Sequence, residues 1–292
     1  MKPHKKDYIK YKDFSIYYEI YGSETSSKPP LLVLHGGPGA AHNYVLALAK
    51  IATVDRQVIF YDQIGCGESD KPTDRSLWTI DFFVNEVETV RKALKLENIH
   101  LLGHSWGGML AIEYLLKKPL GIKSAILASP MISMPLYNQE VDLLKSQLPG
   151  GTFKVMKTHE KMGTTKSKEY QDAYSIYAKH HLFRGDKYPP EYSVDPKNRG
   201  NDVYEAMWGV SEAWGNGSMK LWDRIDDLHT IEAPTLITSG QYDELTPWQA
   251  SIASNKIPNS NLKIFTNTAH VPHIERESDY IEEINKFISE ND

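Results

Sequence analysis

"LLGHSWGG", residues 101–108, sets one hydroxyl among glycines directly behind a strand-like apolar run. Gly103-His104-Ser105-Trp106-Gly107 fits the pattern G-x-S-x-G. In that pattern a serine occupies a strained turn between strand and helix, and the flanking glycines relieve the crowding. An ordinary tight turn can carry the same letters, so the motif alone is weak. Its setting separates the two readings: an apolar strand precedes it, a helical pattern follows it, and it ends the fifth strand-like run. The stretch is therefore a nucleophile elbow, with Ser105 as the candidate nucleophile.

Working outward, the neighbouring segments share one grammar. "FSIYYEIY" (14–21) is an early strand or half of a hairpin. "LLVLHGGPG" (31–39) and "QVIFYDQIGCG" (57–67) are continuous apolar runs ending in glycine turns, as suits strands buried on both faces. Ile80, Phe83, Val84, Val87, Val90 and Leu94 recur at helical spacing behind Thr79, a plausible N-cap. A strand at 98–104, a helix at 106–117 and a strand at 122–130 follow. Alternation of this kind predicts right-handed crossovers and an open, mostly parallel sheet flanked by helices.

Then the pattern breaks. Residues 131–225 hold 8 valines and isoleucines, against 15 in the preceding hundred residues. "SKEYQDAYSIYAKHHL" (167–182) looks helical and "RGDKYPPEYSVDPKNRGN" (184–201) looks like a loop. Strand-then-turn grammar returns at "APTLITSGQYDELTP" (233–247), followed by a helix, a strand at 261–267 and a last helix to about Ser289. The expected organisation is a core over 1–130, a helical insertion over 131–225 and a second part of the core over 226–292.

Composition narrows the function. A chain of 292 residues suits one large α/β domain with an insertion. Net charge of −5 and a pI near 6.1 give no electrostatic footprint for nucleic acid or an anionic membrane surface. The basic opening "MKPHKKDYIKYK" has no apolar run behind it, so no signal peptide is expected. No stretch approaches the roughly 18 apolar residues of a membrane span. The single cysteine, Cys66, excludes an internal disulfide framework and a multi-cysteine metal site. A cytoplasmic protein without metal or cofactor is expected.

A serine hydroxyl needs a base to take its proton and a third group to orient that base. For this elbow the expected chain order is Ser, Asp or Glu, then His. Asp243, in "GQYDELTP", lies at a strand's carboxyl end, where open α/β sheets place their ligands. His270, in "NTAHVPHIE", follows the last strand. His273 competes with it but lies farther from the strand end. The H-x-x-H spacing of the two also lacks the i, i+4 placement of helical zinc motifs. An oxyanion needs fixed donors, and the turn "HGGPG" (35–39) supplies backbone N–H groups: those of Gly37 and Trp106 are the natural pair. Neither G-x-x-x-x-G-K-[ST] nor G-x-G-x-x-G is present, so a phosphate-binding loop is excluded.

Together "HGGPG", "YDQIGCGES", "GHSWGG", "SGQYDELTP" and "AHVPHIE" resemble the α/β-hydrolase prolyl aminopeptidases (proline iminopeptidases, serine peptidase family S33). The likeness is greatest to the tricorn-interacting aminopeptidases of archaea and their lactic-acid-bacterial relatives. It covers the core on both sides of the insertion, with "DQ-x-G-C-G-x-S" the most specific motif. The resemblance implies an α/β-hydrolase fold with a helical cap. It also implies a Ser105–Asp243–His270 triad, a Gly37–Trp106 oxyanion hole, and release of N-terminal proline and other small or apolar residues from short peptides. Ile64 departs from it, since many bacterial members carry arginine there. Cys66, within the motif, is read as a small buried residue rather than a nucleophile. Glu212, in "GVSEAWG", and Glu244 match positions that hold the free amino end of the substrate. Tyr174, Tyr204, Trp208 and Trp214 are candidates to line a pocket for a proline ring. The competing readings are an amidase or esterase with the same triad, and a non-catalytic binding protein on the same scaffold.

Overall fold

The apolar runs become the interior strands of one sheet because both of their faces are covered. In this computed structural model, which describes residues 2–292, the strands are β1 (Lys5–Tyr11), β2 (Phe14–Tyr21), β3 (Leu31–Leu34), β4 (Val58–Tyr61), β5 (Ile99–His104), β6 (Ile122–Ala128), β7 (Thr235–Gly240) and β8 (Ser260–Phe265). Their spatial order is β1-β2-β4-β3-β5-β6-β7-β8. β2 is antiparallel to both β1 and β4, and every pair from β4 onward is parallel. All residues of β3, β4 and β5 are buried, so these strands show no alternation.

β1 lay hidden in the basic opening of the sequence. It is an edge strand whose lysines face solvent, and only Ile9 and Tyr11 are buried. Charge on an edge discourages pairing with other chains, and it also removes the apolar pattern that announces a strand. A 3₁₀ segment at Asn43–Ile51 was likewise not foreseen; Val45, Leu48 and Ile51 are buried against one face of the sheet.

Helix α1 (Ile80–Ala93) forms as its periodicity requires, with the Thr79 hydroxyl accepting the Phe82 N–H at 3.2 Å. α2 (Trp106–Leu116) is buried from Trp106 to Leu115 and so lacks a polar face. Between β6 and β7, the described residues form α3 (Met134–Ser146), α4 (Thr152–Met162), α5 (Lys168–His181) and α6 (Asn201–Met207), with no strand of the sheet. The two ends of this stretch leave and rejoin the core side by side. The Met134 N–H donates to the Trp222 carbonyl at 2.8 Å, and the Arg224 N–H to that of Ile132 at 3.0 Å. α7 (Pro247–Lys256), α8 (Pro272–Glu275) and α9 (Glu277–Glu290) complete the chain. Among the described residues, no helix is long and apolar enough to cross a membrane.

The loop behind β4 is fixed by buried charge. Asp62 Oδ1 accepts from the His42 N–H at 2.9 Å and from His42 Nδ1 at 2.8 Å, while Oδ2 accepts the Glu68 N–H at 2.9 Å. Glu19 lies across the imidazole, 3.8 Å from Nε2. Burial opposes a charge on His42, but Asp62 and then Glu19 outweigh it and raise its pKa to about 9. A histidine in the unfolded chain titrates near ~6.5. The stabilisation is therefore complete below that value and is lost as pH rises through about 9. The melting temperature of the wild type should fall between pH 6.5 and 9.5, and His42→Gln should show a much shallower fall. Equal slopes by scanning calorimetry would contradict a charged His42.

Candidate active site

Ser105 stands between β5 and α2 with φ 57° and ψ −121°, a conformation rare outside glycine. Its N–H donates to the Ala128 carbonyl at 2.9 Å, and its carbonyl takes the N–H groups of Gly108 and Met109 at 2.8 and 3.1 Å. The bend brings α2 hard against β3: a Cβ on Gly107 would stand 2.1 Å from the Leu34 carbonyl oxygen. Only glycine fits there.

Asp243, in the loop behind β7, and His270, in the loop behind β8, are brought into contact. Asp243 Oδ1 accepts from His270 Nδ1 at 2.8 Å and from the Leu245 N–H at 2.9 Å. An ionised carboxylate only accepts, so Nδ1 carries the proton and Nε2 is the basic atom of the neutral ring. Burial works against a charge on His270, but Asp243 outweighs it and holds the pKa above the ordinary imidazole value. His273 is placed differently. Its Nε2 contacts the Tyr44 carbonyl at 3.1 Å, and burial pushes its pKa down to about 3.

His104 was not singled out from the sequence, yet it ties the loops together. Its Nε2 donates to the His270 carbonyl at 2.8 Å, which leaves Nδ1 to accept the Tyr44 hydroxyl, also at 2.8 Å. That hydroxyl in turn accepts the Gly36 N–H at 2.7 Å. A chain of three hydrogen bonds thus links the His270 loop to the turn behind β3. Gln63 braces the same turn from below: its Oε1 accepts from Trp106 Nε1 at 2.8 Å, and its Nε2 donates to the His35 carbonyl at 2.9 Å. Among the described residues, no protein acceptor takes the N–H of Gly37 or of Trp106.

His35, Asp62 and Cys66 gather ligand atoms of metal-binding type within 4.8 Å. Their lone pairs are already engaged. His35 Nε2 accepts the Gln63 N–H at 3.0 Å, both Asp62 oxygens accept hydrogen bonds, and burial pushes the Cys66 thiol up. The cluster is a structural brace.

Ser105, His270, Gly37 and Glu212 all border one cavity of about 740 Å³. Glu212 Oε2 accepts from the Tyr204 hydroxyl at 2.6 Å. Glu244 is buried behind it and accepts from the Tyr177 hydroxyl at 2.9 Å. The Tyr137 hydroxyl also approaches Glu244 Oε2, at 3.4 Å. Burial, then the nearby Glu212 charge, drives the Glu244 pKa well up; burial also raises Glu212. Of the aromatics named from the sequence, Tyr174 and Tyr204 line the cavity, joined by Tyr44, Tyr170, Tyr188 and Tyr192. Trp208 instead lies buried, its Nε1 donating to the Ser211 and Glu212 carbonyls at 3.1 and 3.2 Å. Trp214 is not among the cavity residues.

The 211–213 segment that carries Glu212 hangs on an unusual support. Lys145 is fully buried and its Nζ donates to Glu160 at 3.0 and 3.1 Å and to the Ala213 carbonyl at 3.0 Å. The Tyr137 hydroxyl adds a bond of 2.5 Å to the Glu212 carbonyl. No apolar period or motif marks this pair, since a buried lysine looks like any surface lysine in sequence.

A sheet with one antiparallel turn at its start, an elbow serine behind β5 and a carboxylate–histidine pair behind β7 and β8 define the α/β-hydrolase class. The profile of the alpha/beta hydrolase fold family matches residues 29–277, and the chain belongs to that family. A proline iminopeptidase of Clostridium botulinum is 40% identical over 288 residues, 98% of each chain. The crystal structure of a Mycobacterium smegmatis proline iminopeptidase superposes with a TM-score of 0.90 at 32% identity, covering 98% of both chains. That of VinJ superposes at 0.95 and 29% identity, covering 99% of this chain and all of the other. The chain is a hydrolase of the proline iminopeptidase family.

Breaking the buried Lys145–Glu160 pair leaves the buried Glu160 with only Lys157 at 3.8 Å as a cation, and takes from Asp142 its contact with Lys145 at 2.9 Å. Lys145→Met should cost about 3–5 kcal/mol of stability, while Lys145→Met with Glu160→Leu should recover much of that loss. Urea unfolding of both variants checks this; equal stability of the single and double variants would refute it.

Proposed function

We propose that the chain is a serine aminopeptidase that releases N-terminal proline, and other small or apolar residues, from short peptides through an acyl-enzyme. The observation that carries the reading is one cavity bordered by Ser105 and His270 together with Glu212. The names of its relatives point the same way. Residues 131–225 act as the cap that closes this cavity. A cytoplasmic location accompanies the reading, in keeping with a single buried cysteine.

In this mechanism His270 Nε2 takes the Ser105 proton as Oγ attacks the carbonyl of the first residue. Asp243 keeps the ring in the required tautomer and stabilises the imidazolium. The N–H groups of Gly37 and Trp106 receive the developing oxyanion. His270 then returns the proton to the leaving amine, and water attacks the ester in the reverse sense. Glu212 and Glu244 fix the substrate's ammonium, which sets the reacting bond one residue from the chain end. A buried carboxyl pair is costly when empty and is relieved by a cation, so an amine is preferred over a neutral group.

Ser105→Ala or His270→Ala should lower kcat by about four to six orders of magnitude with folding intact. His273→Ala should cost far less activity. For prolyl arylamides kcat/KM should rise with pH through a group titrating above the ordinary imidazole value, following the raised His270. A flat profile from pH 5 to 8.5, with chemistry limiting, would count against a histidine base.

Glu212→Gln and Glu244→Gln should depress kcat/KM by roughly 30- to several-thousand-fold while Ser105 still reacts with a small neutral ester. N-acetyl-prolyl arylamide should be a very poor substrate. Its rapid cleavage would favour the amidase or esterase reading instead.

A further inference from the structure

The cavity wall contains a single lysine or arginine among the described residues, Arg199. Its backbone is held firmly. The N–H of the next residue, Gly200, donates to the Gly39 carbonyl at 2.8 Å, and the Asn198 carbonyl accepts the Gly67 N–H at 2.7 Å. Arg199 is thus anchored beside the turn that carries Gly37, while its side chain is exposed at the cavity.

Among the described residues the guanidinium has no carboxylate partner and no side-chain hydrogen bond. The nearest acids in sequence are occupied: Asp195 pairs with Lys197 at 3.1 Å, and Asp202 accepts from Arg75 Nε at 2.7 Å and Trp78 Nε1 at 3.0 Å. Its charge is felt inside the cavity. Burial raises Tyr174, Tyr188 and Glu212, and in each case Arg199 opposes the rise. A planar cation with five free donors is suited to a carboxylate, which it can grip with two parallel hydrogen bonds.

We propose that Arg199 binds the C-terminal carboxylate of di- and tripeptides, so that the cavity recognises both ends of a short peptide. The proposal rests on the aminopeptidase reading, in which Glu212 and Glu244 take the amino end. The geometry is of the right scale. A tripeptide spans roughly 10 Å when extended, and a cavity of about 740 Å³ lies within the usual range for enclosing a small ligand. The tyrosines that fill the wall between charged groups offer neutral surface to side chains of varied shape. A long peptide or a C-terminal amide has no carboxylate to offer within a cavity of this size.

The test compares Pro-Gly-Gly with its C-terminal amide and with a prolyl arylamide, in wild type, Arg199→Gln and Arg199→Lys. Wild type should prefer the free acid to the amide by about ten-fold in kcat/KM, and the preference should shrink at high salt because the group is exposed. Arg199→Gln should bring the ratio of acid to amide close to one, lowering the acid about ten-fold more than the arylamide. Arg199→Lys should keep part of the preference. A wild type that treats acid and amide alike overturns the proposal. So does an Arg199→Gln variant in which all three substrates fall together, since that marks a structural role. Wild-type enzyme that prefers the acid yet cleaves the N-acetylated tripeptide equally fast would overturn the amino-end reading alone. Inertness toward every prolyl substrate would overturn both.

Discussion

The contact between Gly107 and the Leu34 carbonyl governs the rest of the site. Helix α2 can start only where its first turn clears β3, and that clearance exists because residue 107 has no side chain. Ser105 must then bend, since β5 and α2 are fixed on either side of it. The same approach sets the start of α2 against the residues that lead into the turn behind β3, where a Cβ on Gly36 would stand 3.0 Å from the Ser105 Cβ. Gln63 and the His104–Tyr44 chain then hold that arrangement from two sides. Strain at one residue is held by packing that surrounds it.

Charge is distributed on the same logic of support. His42, Asp62 and Glu19 form a buried ionic group that holds the loop behind β4, and Lys145 with Glu160 holds the segment beneath Glu212. In both, each charge has a partner. Glu212 and Glu244 differ, since among the described residues their side-chain donors are tyrosine hydroxyls alone. Like charges at short range in an apolar surround keep a proton between them. A ligand that brings its own positive charge can displace that proton and leave both carboxylates paired. The lack of a cationic partner for this cluster, beside so many paired charges, is the physical reason for proposing it as the site of the substrate's amine.

Much of this was legible in the sequence, for a reason that can be named. Burial on both faces makes β3, β4 and β5 read as unbroken apolar runs, and a one-sided helix such as α1 leaves its period in the chain. Serine, aspartate and histidine at strand ends follow from topology, which places the carboxyl ends of parallel strands along one rim. β1 was missed because pairing at an edge uses the backbone and leaves its lysines in water. His104 and Tyr44 were missed because their roles depend on which ring nitrogen meets which loop, and spacing does not encode that. Trp208 was offered as a pocket residue, but its indole instead donates to the backbone that carries Glu212. Six tyrosines line the cavity from four segments, one or two from each, so no short motif announces them.

The motif "DQIGCGES" shows why a specific sequence pattern need not contain a reacting group. Asp62 gathers His42 and Glu68, Gln63 braces the elbow, and the Ser69 hydroxyl bonds the Asp62 carbonyl while accepting the Tyr17 N–H at 2.8 Å. The Gly67 N–H reaches across to the Asn198 carbonyl, and Gly200 then bonds Gly39 in the neighbouring turn. A Cβ on Gly39 would come within 2.6 Å of the Gly200 carbonyl oxygen, so this crossing also depends on glycine. The stretch at 198–200 is thereby bonded to both motif loops at once. Displacing it would pull on the turn that holds the Gly37 donor, and for that reason the segment bearing Arg199 and the proposed oxyanion site must hold their places together.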